Sequence, residues 1–458
     1  SSAASDVYKR QMKTKSIIAG MLSTMLLAVG CSKEHGGPGT PEEGVRTYAS
    51  FSVTLDASTT RALADVNSVE EETKINTVNI YVFMGGVLED TGVITLNENN
   101  EGTTTLATTT GPKTIYAVVN KSVTGVVGQT QEAFEQQIIQ TVAAGASTIA
   151  VENSFFMVGS AAATLSEQTQ EEAVMKRNLI PITVQRATAK VQMRFKENVP
   201  VKPVVNASVS ASQYTLAQQN TEMYLARTGF DFTPTGTAAV QRDADANGTC
   251  DHLVALPAAD QIDWLAANTD YDNTFVNSRY LAENVNEEPV TGNTSYVLVE
   301  LTVKPTQTSD AEGNFSASDL AENADFWVLA SHNATDGDIT FLTKEDKILY
   351  FANESDASTY LAVQNDLVDY QVLKYTEGKS YYRLNIRDIK QRTLTEEYAV
   401  LRNHYYKVNI TEISNLGFNT PGGTVPTDPE TPLETQTYIS AEILIEPWTV
   451  VEMNEPLG

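Results

Sequence analysis

The residues of this chain that could do chemistry are few and mostly scattered. The run Asp243-Ala-Asp245-Ala-Asn247-Gly248-Thr249-Cys250-Asp251 sets oxygen donors and a glycine at the spacing of a calcium loop. The position where a bidentate glutamate would complete the shell is Val254. Asp243, Asp245, Asn247 and Asp251 are therefore expected to form an acidic surface turn, with no metal and no other cofactor. His35, His252, His332 and His404 are dispersed, and neither G-x-S-x-G nor H-E-x-x-H occurs. No catalytic core is visible, and an enzyme is not expected. Trp264, Trp327 and Trp448 could stack on sugars, but such residues are more often packing anchors.

Two further residues carry chemistry that others would perform on the chain. Lys13 and Lys15, the apolar run Ile17 to Val29 and the small-residue approach Ala28-Val29-Gly30 to Cys31 have the layout of a bacterial lipoprotein signal. That run is too short to span ~30 Å of hydrocarbon stably. Residues 12–30 are read as the signal peptide and Cys31 as the lipidated residue, whose acyl chains would anchor without spanning. Residues 1–11 fit neither signal nor core and are read as non-native or upstream sequence. Arg61-Ala62 sits in the polar stretch Asp56 to Glu72, an exposed loop open to a trypsin-like cut.

These residues need a scaffold, and composition points to strands. The chain has 458 residues, rich in Thr, Val, Ile, Tyr and Ala, a balance that favours strands over helices. Asp and Glu number 58 against 31 Lys and Arg, so the surrounding potential repels nucleic acid. Cys31 and Cys250 are the only cysteines and make no disulfide framework.

Strand patterns recur along the chain: Thr77 to Phe83 before Gly85-Gly86, Lys113 to Val119, Ile180 to Phe195 with a break, Ser295 to Lys304, Lys379 to Ile386 and His404 to Ile413. A helix is expected over Thr130 to Ala143. The expected fold is mainly β, with a few short helices. The prolines at Pro200 and Pro203 place a boundary between an N-terminal β-sandwich domain, 62–199, and a C-terminal one, 200–414. A Pro/Gly-rich extended linker follows at 415–436.

Two amphipathic strands lie at opposite ends. In Tyr48 to Leu55, Ala49, Phe51, Val53 and Leu55 share one face. In Thr437 to Pro447, Ile439, Ala441, Ile443 and Ile445 share one face and Leu444 breaks the pattern. One strand precedes the Arg61 loop and the other follows the linker, which suggests exchange. Cutting after Arg61 would release a propeptide, 31–61, with the first strand, and expose a groove that a neighbour's C-terminal strand, within 437–458, could fill by strand addition. Such a head-to-tail contact yields a filament.

Several stretches resemble the type V pilin (fimbrillin) family of Bacteroidia: Val184-Gln-Arg-Ala-Thr-Ala-Lys-Val191, Asn293-Thr-Ser-Tyr-Val-Leu-Val299, Val400-Leu-Arg-Asn-His-Tyr-Tyr406, Leu416-Gly-Phe-Asn419, Val425-Pro-Thr-Asp-Pro-Glu-Thr-Pro-Leu433 and Ile445-Glu-Pro-Trp448. The resemblance implies two transthyretin-like Greek-key β-sandwich domains and a structural shaft subunit of a cell-surface fimbria supporting adhesion. It implies export as an outer-membrane lipoprotein, cleavage by an arginine-specific protease at Arg61-Ala62, and donation of Ile439 to Trp448. Arg46 is a less favoured cut, because it would leave the first strand attached. The implied partners are identical subunits, accessory anchor and tip proteins, the protease, and a host or bacterial surface receptor. The alternatives are a tip or anchor subunit of the same system and a surface glycan-binding lipoprotein.

Overall fold

A computed structural model describes residues 44–55, 68–97, 102, 104–226, 253–271, 274–333, 337–433 and 438–448. Cys31, Arg61, Ala62, Asp243, Asp245, Asn247, Cys250 and Asp251 lie outside these residues, as do His35 and His252. Among the described residues no helix is long and apolar enough to cross a membrane. Among them, too, no cluster of His, Cys, Asp or Glu could hold a metal.

The chain is mainly β, as the composition implied. The first sheet runs, in spatial order, 87–94, 78–84, 111–119, 157–165, 179–186, 46–55 and 106–109. Its hairpin from Val78–Met84 to Val87–Ile94 turns at Gly85 and Gly86, with φ of 58° and 80°. Positive φ at both central positions is the turn that matches strand twist, which is why glycines stand there. All pairings in this sheet are antiparallel except one: Arg46–Leu55 runs parallel to Leu179–Arg186.

The region Ile180 to Phe195 becomes two strands, Leu179–Arg186 and Ala189–Arg194, which serve different cores. Ala187-Thr188 lies between the two strands, where the chain passes from one cluster to the other. The expected helix over Thr130 to Ala143 is a single turn and a half, Gln131–Glu135, capped by Thr130. It then gives way to the short strand Ile138–Gln140, which pairs with Glu222–Tyr224. A strand partner supplied from far along the chain overrides the local helical spacing.

The second core lies between two sheets. One runs 279–281, 189–194, 404–413 and 439–447; the other runs 265–266, 207–217, 296–305 and 379–385. Tyr296–Pro305 is buried along nearly its whole length. A further sheet around Phe326–Asn333 contributes Phe326, Val328 and Ala330 to the same core.

Two expectations need correction here. Of the stretch 415–436, read as an extended connector, the described residues 415–433 are packed against the second core. Leu416 and Phe418 are buried, Phe418 exchanges backbone hydrogen bonds of 2.8 Å with Tyr381, and Gly292 and Thr291 donate to Pro429 and Thr431 carbonyls. Its apolar residues recover more by burial than a solvated proline-rich chain could. The two terminal strands, read in the sequence as detachable pieces on either side of the domains 62–199 and 200–414, are both built into the body of the fold. Both are members of sheets, because an alternating apolar face is stabilised only when it covers a core.

Candidate strand-exchange site

The first strand is held from both sides. Phe51, Val53 and Leu55 lie in register with Ile180, Ile182 and Val184, while Arg46 to Ala49 pair with Thr109 to Leu106. Ala49, Phe51 and Val53 are fully buried in one apolar cluster with Ile180, Ile182 and Val184, and Leu55 packs against it. Side chains of this kind contribute about 1.5–3 kcal/mol each when fully buried. The expected face is therefore the one that meets the core. Arg46 opens this strand and is paired with Thr109, so its backbone is already engaged.

Polar contacts fix the strand's entry. Thr47 Oγ1 donates to the Ser166 carbonyl at 2.7 Å and accepts from Gln168 N–H at 2.9 Å. Asn178 Nδ2 donates to the Tyr48 carbonyl at 3.0 Å, and Ser50 N–H donates to the Asn178 carbonyl at 3.0 Å. Gly102 N–H donates to the Phe51 carbonyl at 2.7 Å. Taking this strand away would leave two unpaired strand edges and an apolar groove between them.

The C-terminal strand, Ile439–Pro447, pairs antiparallel with His404–Ile413, with a bulge between Ile410 and Glu412. Ile439 is buried, and Ala441, Ile443 and Ile445 pack against the second core. Leu444, which breaks the alternation, is 43% exposed. Among the described residues the strand forms one edge of its sheet.

Trp448 follows directly and is fully buried, not in the second core but in the cluster that holds the first strand. Its ring stacks on Tyr280 at 5.7 Å, meets Phe155 edge-on at 5.8 Å and lies 4.3 Å from the Arg186 guanidinium carbon. Its N–H donates to the Asn403 carbonyl and its own carbonyl accepts from Arg186 Nη1, each at 3.0 Å. Its indole N–H donates to Glu72 Oε2 at 3.2 Å.

Glu72 is itself fully buried and organises the junction. Its carboxylate accepts from Lys190 Nζ at 2.8 Å, Tyr280 hydroxyl at 2.7 Å and Val69 N–H at 3.1 Å, besides Trp448. Arg186 Nε donates to the Glu72 carbonyl at 2.9 Å, and its Nη2 donates to Ser68 Oγ. A buried charge persists only when so surrounded. Burial, with the Glu72 carboxylate alongside, drives the Tyr280 hydroxyl far above the usual phenol range, so it stays a donor.

Sequence reasoning missed Glu72, Arg186 and Lys190 as a group. A signal was present: Arg186 and Lys190 lie in one of the stretches quoted above, Asn403 and Tyr405 in another, and Trp448 closes a third. The fold brings these three stretches to one place. Trp264 and Trp327 remain apart from it, the former tilted on Tyr381 and the latter beneath Lys374.

Comparison with known proteins finds fimbrial subunits. Residues 373–454, which carry both the His404–Ile413 strand and Trp448, match the family model described as major fimbrial subunit protein type IV, fimbrillin, C-terminal. The resemblance to Bacteroidia fimbrillins carried by the sequence motifs thus extends to the family model and to curated relatives. The chain is 25% identical to the minor fimbrium subunit Mfa1 of Porphyromonas gingivalis, over 95% of this chain and 98% of the relative. Among solved structures it is similar to a fimbrilin (FimA) of Porphyromonas gingivalis, at 14% identity and a TM-score of 0.46, covering 90% of this chain and 99% of the other. It is also similar to the tip fimbrial protein Mfa3 of that organism, at 12% identity and a TM-score of 0.35, covering 88% and 99%.

Proposed function

We propose that this chain is the structural shaft subunit of a cell-surface fimbria that supports adhesion. In this reading it is exported as an outer-membrane lipoprotein through Cys31 and cut between Arg61 and Ala62 by an arginine-specific protease. It then polymerises head-to-tail with identical copies by donor-strand exchange, between accessory anchor and tip proteins. Its two sandwiches are transthyretin-like Greek-key domains.

The observation that carries the reading is the first strand. Ala49, Phe51 and Val53 are fully buried between two partner strands, yet the chain leaves that strand into the polar segment containing Arg61. A cut there would separate a core strand from everything downstream. The vacated groove asks for four alternating apolar side chains, and Ile439, Ala441, Ile443 and Ile445 offer such a face. To donate it, the C-terminal strand must leave His404–Ile413 and withdraw Trp448 from its seat. The similarity to the minor fimbrium subunit Mfa1 supports reading this chain as a fimbrial subunit.

N-terminal sequencing of the subunit recovered from native fibres tests this directly. A chain beginning at Ala62 is the expected result. Fibres built of chains that retain Cys31 and the first strand would overturn the processing and the exchange together.

A further inference from the structure

We infer that Trp448 is a latch: seated on Glu72 and Arg186, it keeps the C-terminal strand in its own sheet for as long as the first strand occupies its place. The consequence for assembly rests on the donor-strand reading above, but the latch itself is a property of the single subunit.

Two independent holds meet at this one side chain. The apolar hold is the cluster in which Trp448 is buried together with Ala49, Phe51 and Val53 of the first strand. Phe155 belongs to that cluster and supplies the edge-on contact at 5.8 Å. Withdrawing the first strand would loosen the packing of this shared cluster, since interiors are close-packed and a void deprives neighbouring atoms of contacts. The polar hold is Glu72, which takes the indole N–H while its own carbonyl and the Ser68 hydroxyl are fixed by Arg186. Ser68 and Glu72 follow the segment that contains Arg61 in the sequence.

The first strand and the C-terminal strand lie in different sheets, but both depend on this junction. Loss of the first strand would weaken the seat of Trp448. The C-terminal strand would then keep only its edge pairing with His404–Ile413 and the packing of Ile439, Ala441, Ile443 and Ile445 on the second core. A donor kept closed until its own subunit has lost its first strand is protected from pairing prematurely with other edges.

The test uses the full chain with Trp264→Phe and Trp327→Phe, leaving Trp448 as the sole tryptophan. Acrylamide quenching reports its exposure, and amide exchange of residues 404–413 reports release of the neighbouring strand. Val53→Ala and Val299→Ala make the same deletion at fully buried positions of the two different cores. Val53→Ala is expected to raise quenching about threefold or more and to speed exchange over 404–413, whereas Val299→Ala leaves Trp448 shielded. Glu72→Gln, which weakens the polar hold, is expected to act in the same direction as Val53→Ala.

If Val53→Ala does not fold, Leu55→Ala serves as the milder deletion in the same strand. Trp448 remaining as shielded in the first-strand and Glu72 variants as in the parent would overturn the latch. So would an equal response to Val299→Ala. Fibre formation by cleaved chains is scored separately by electron microscopy. A released Trp448 without fibres sinks the donor reading and leaves the latch standing; cleaved chains whose Trp448 stays shielded before they assemble sink the latch.

Discussion

The indole N–H of Trp448 donates to the carboxylate of Glu72 at 3.2 Å, joining residues 376 positions apart in the chain. One partner follows the C-terminal strand and the other lies just downstream of the segment containing Arg61. The contact is buried and shares Glu72 with Lys190 and Tyr280. It therefore unites the two ends of the subunit through a charge that depends on every one of its donors.

Removing one of those donors should be costly. Lys190→Met leaves the Glu72 carboxylate buried without its cation, and a loss of about 3–5 kcal/mol is expected in urea unfolding of the precursor. Adding Glu72→Gln to the same chain should restore part of that loss, because the uncompensated charge is gone. A strictly additive double variant would mean that the two residues do not act as a pair.

Phe51 offers a test specific to processing. Phe51→Ala should destabilise the precursor by about 3–5 kcal/mol through the cavity it leaves. Fibres assembled from the cleaved form should melt as the parent's do, since Phe51 would no longer be present. A fibre weakened along with the precursor would show that the first strand is retained.

Arg61→Ala should give a full-length precursor that stays monomeric. With the first strand in place the groove remains occupied, and no neighbour can enter it. Normal fibres from this variant, seen by electron microscopy, would exclude cleavage at Arg61 as the trigger.

The buried tyrosines predict the alkaline limit of stability. Burial pushes the Tyr382 hydroxyl up to about 12, and holds Tyr280, Tyr375 and Tyr350 well above the ordinary phenol range. Their folded values lie above the unfolded one, near 10. The stability they contribute is thus complete below about pH 10 and lost as pH rises through the folded values. Phenolate absorbance should show exposed tyrosines titrating first, followed by a cooperative rise at higher pH when the fold opens. A single smooth titration centred near pH 10 would contradict this.

Much of this protein was legible in the residues themselves. Alternation of Ala49, Phe51, Val53 and Leu55, and of Ile439, Ala441, Ile443 and Ile445, determined which face of each strand is apolar, because side chains of a strand alternate whatever it pairs with. Composition determined a mainly β chain, and Gly85-Gly86 marked its turn. The partners of those strands were another matter. That the first strand runs parallel to residues 179–186, that residues 415–433 lie packed, and that Arg186 and Lys190 converge with Glu72 on Trp448 were decided only by tertiary structure. The physical reason is that pairing and charge burial depend on which distant surfaces meet, and a linear pattern of apolar and polar residues carries no address for its partner. The strand faces could be read one residue at a time, whereas the junction that joins the two ends exists only when all its members are in place.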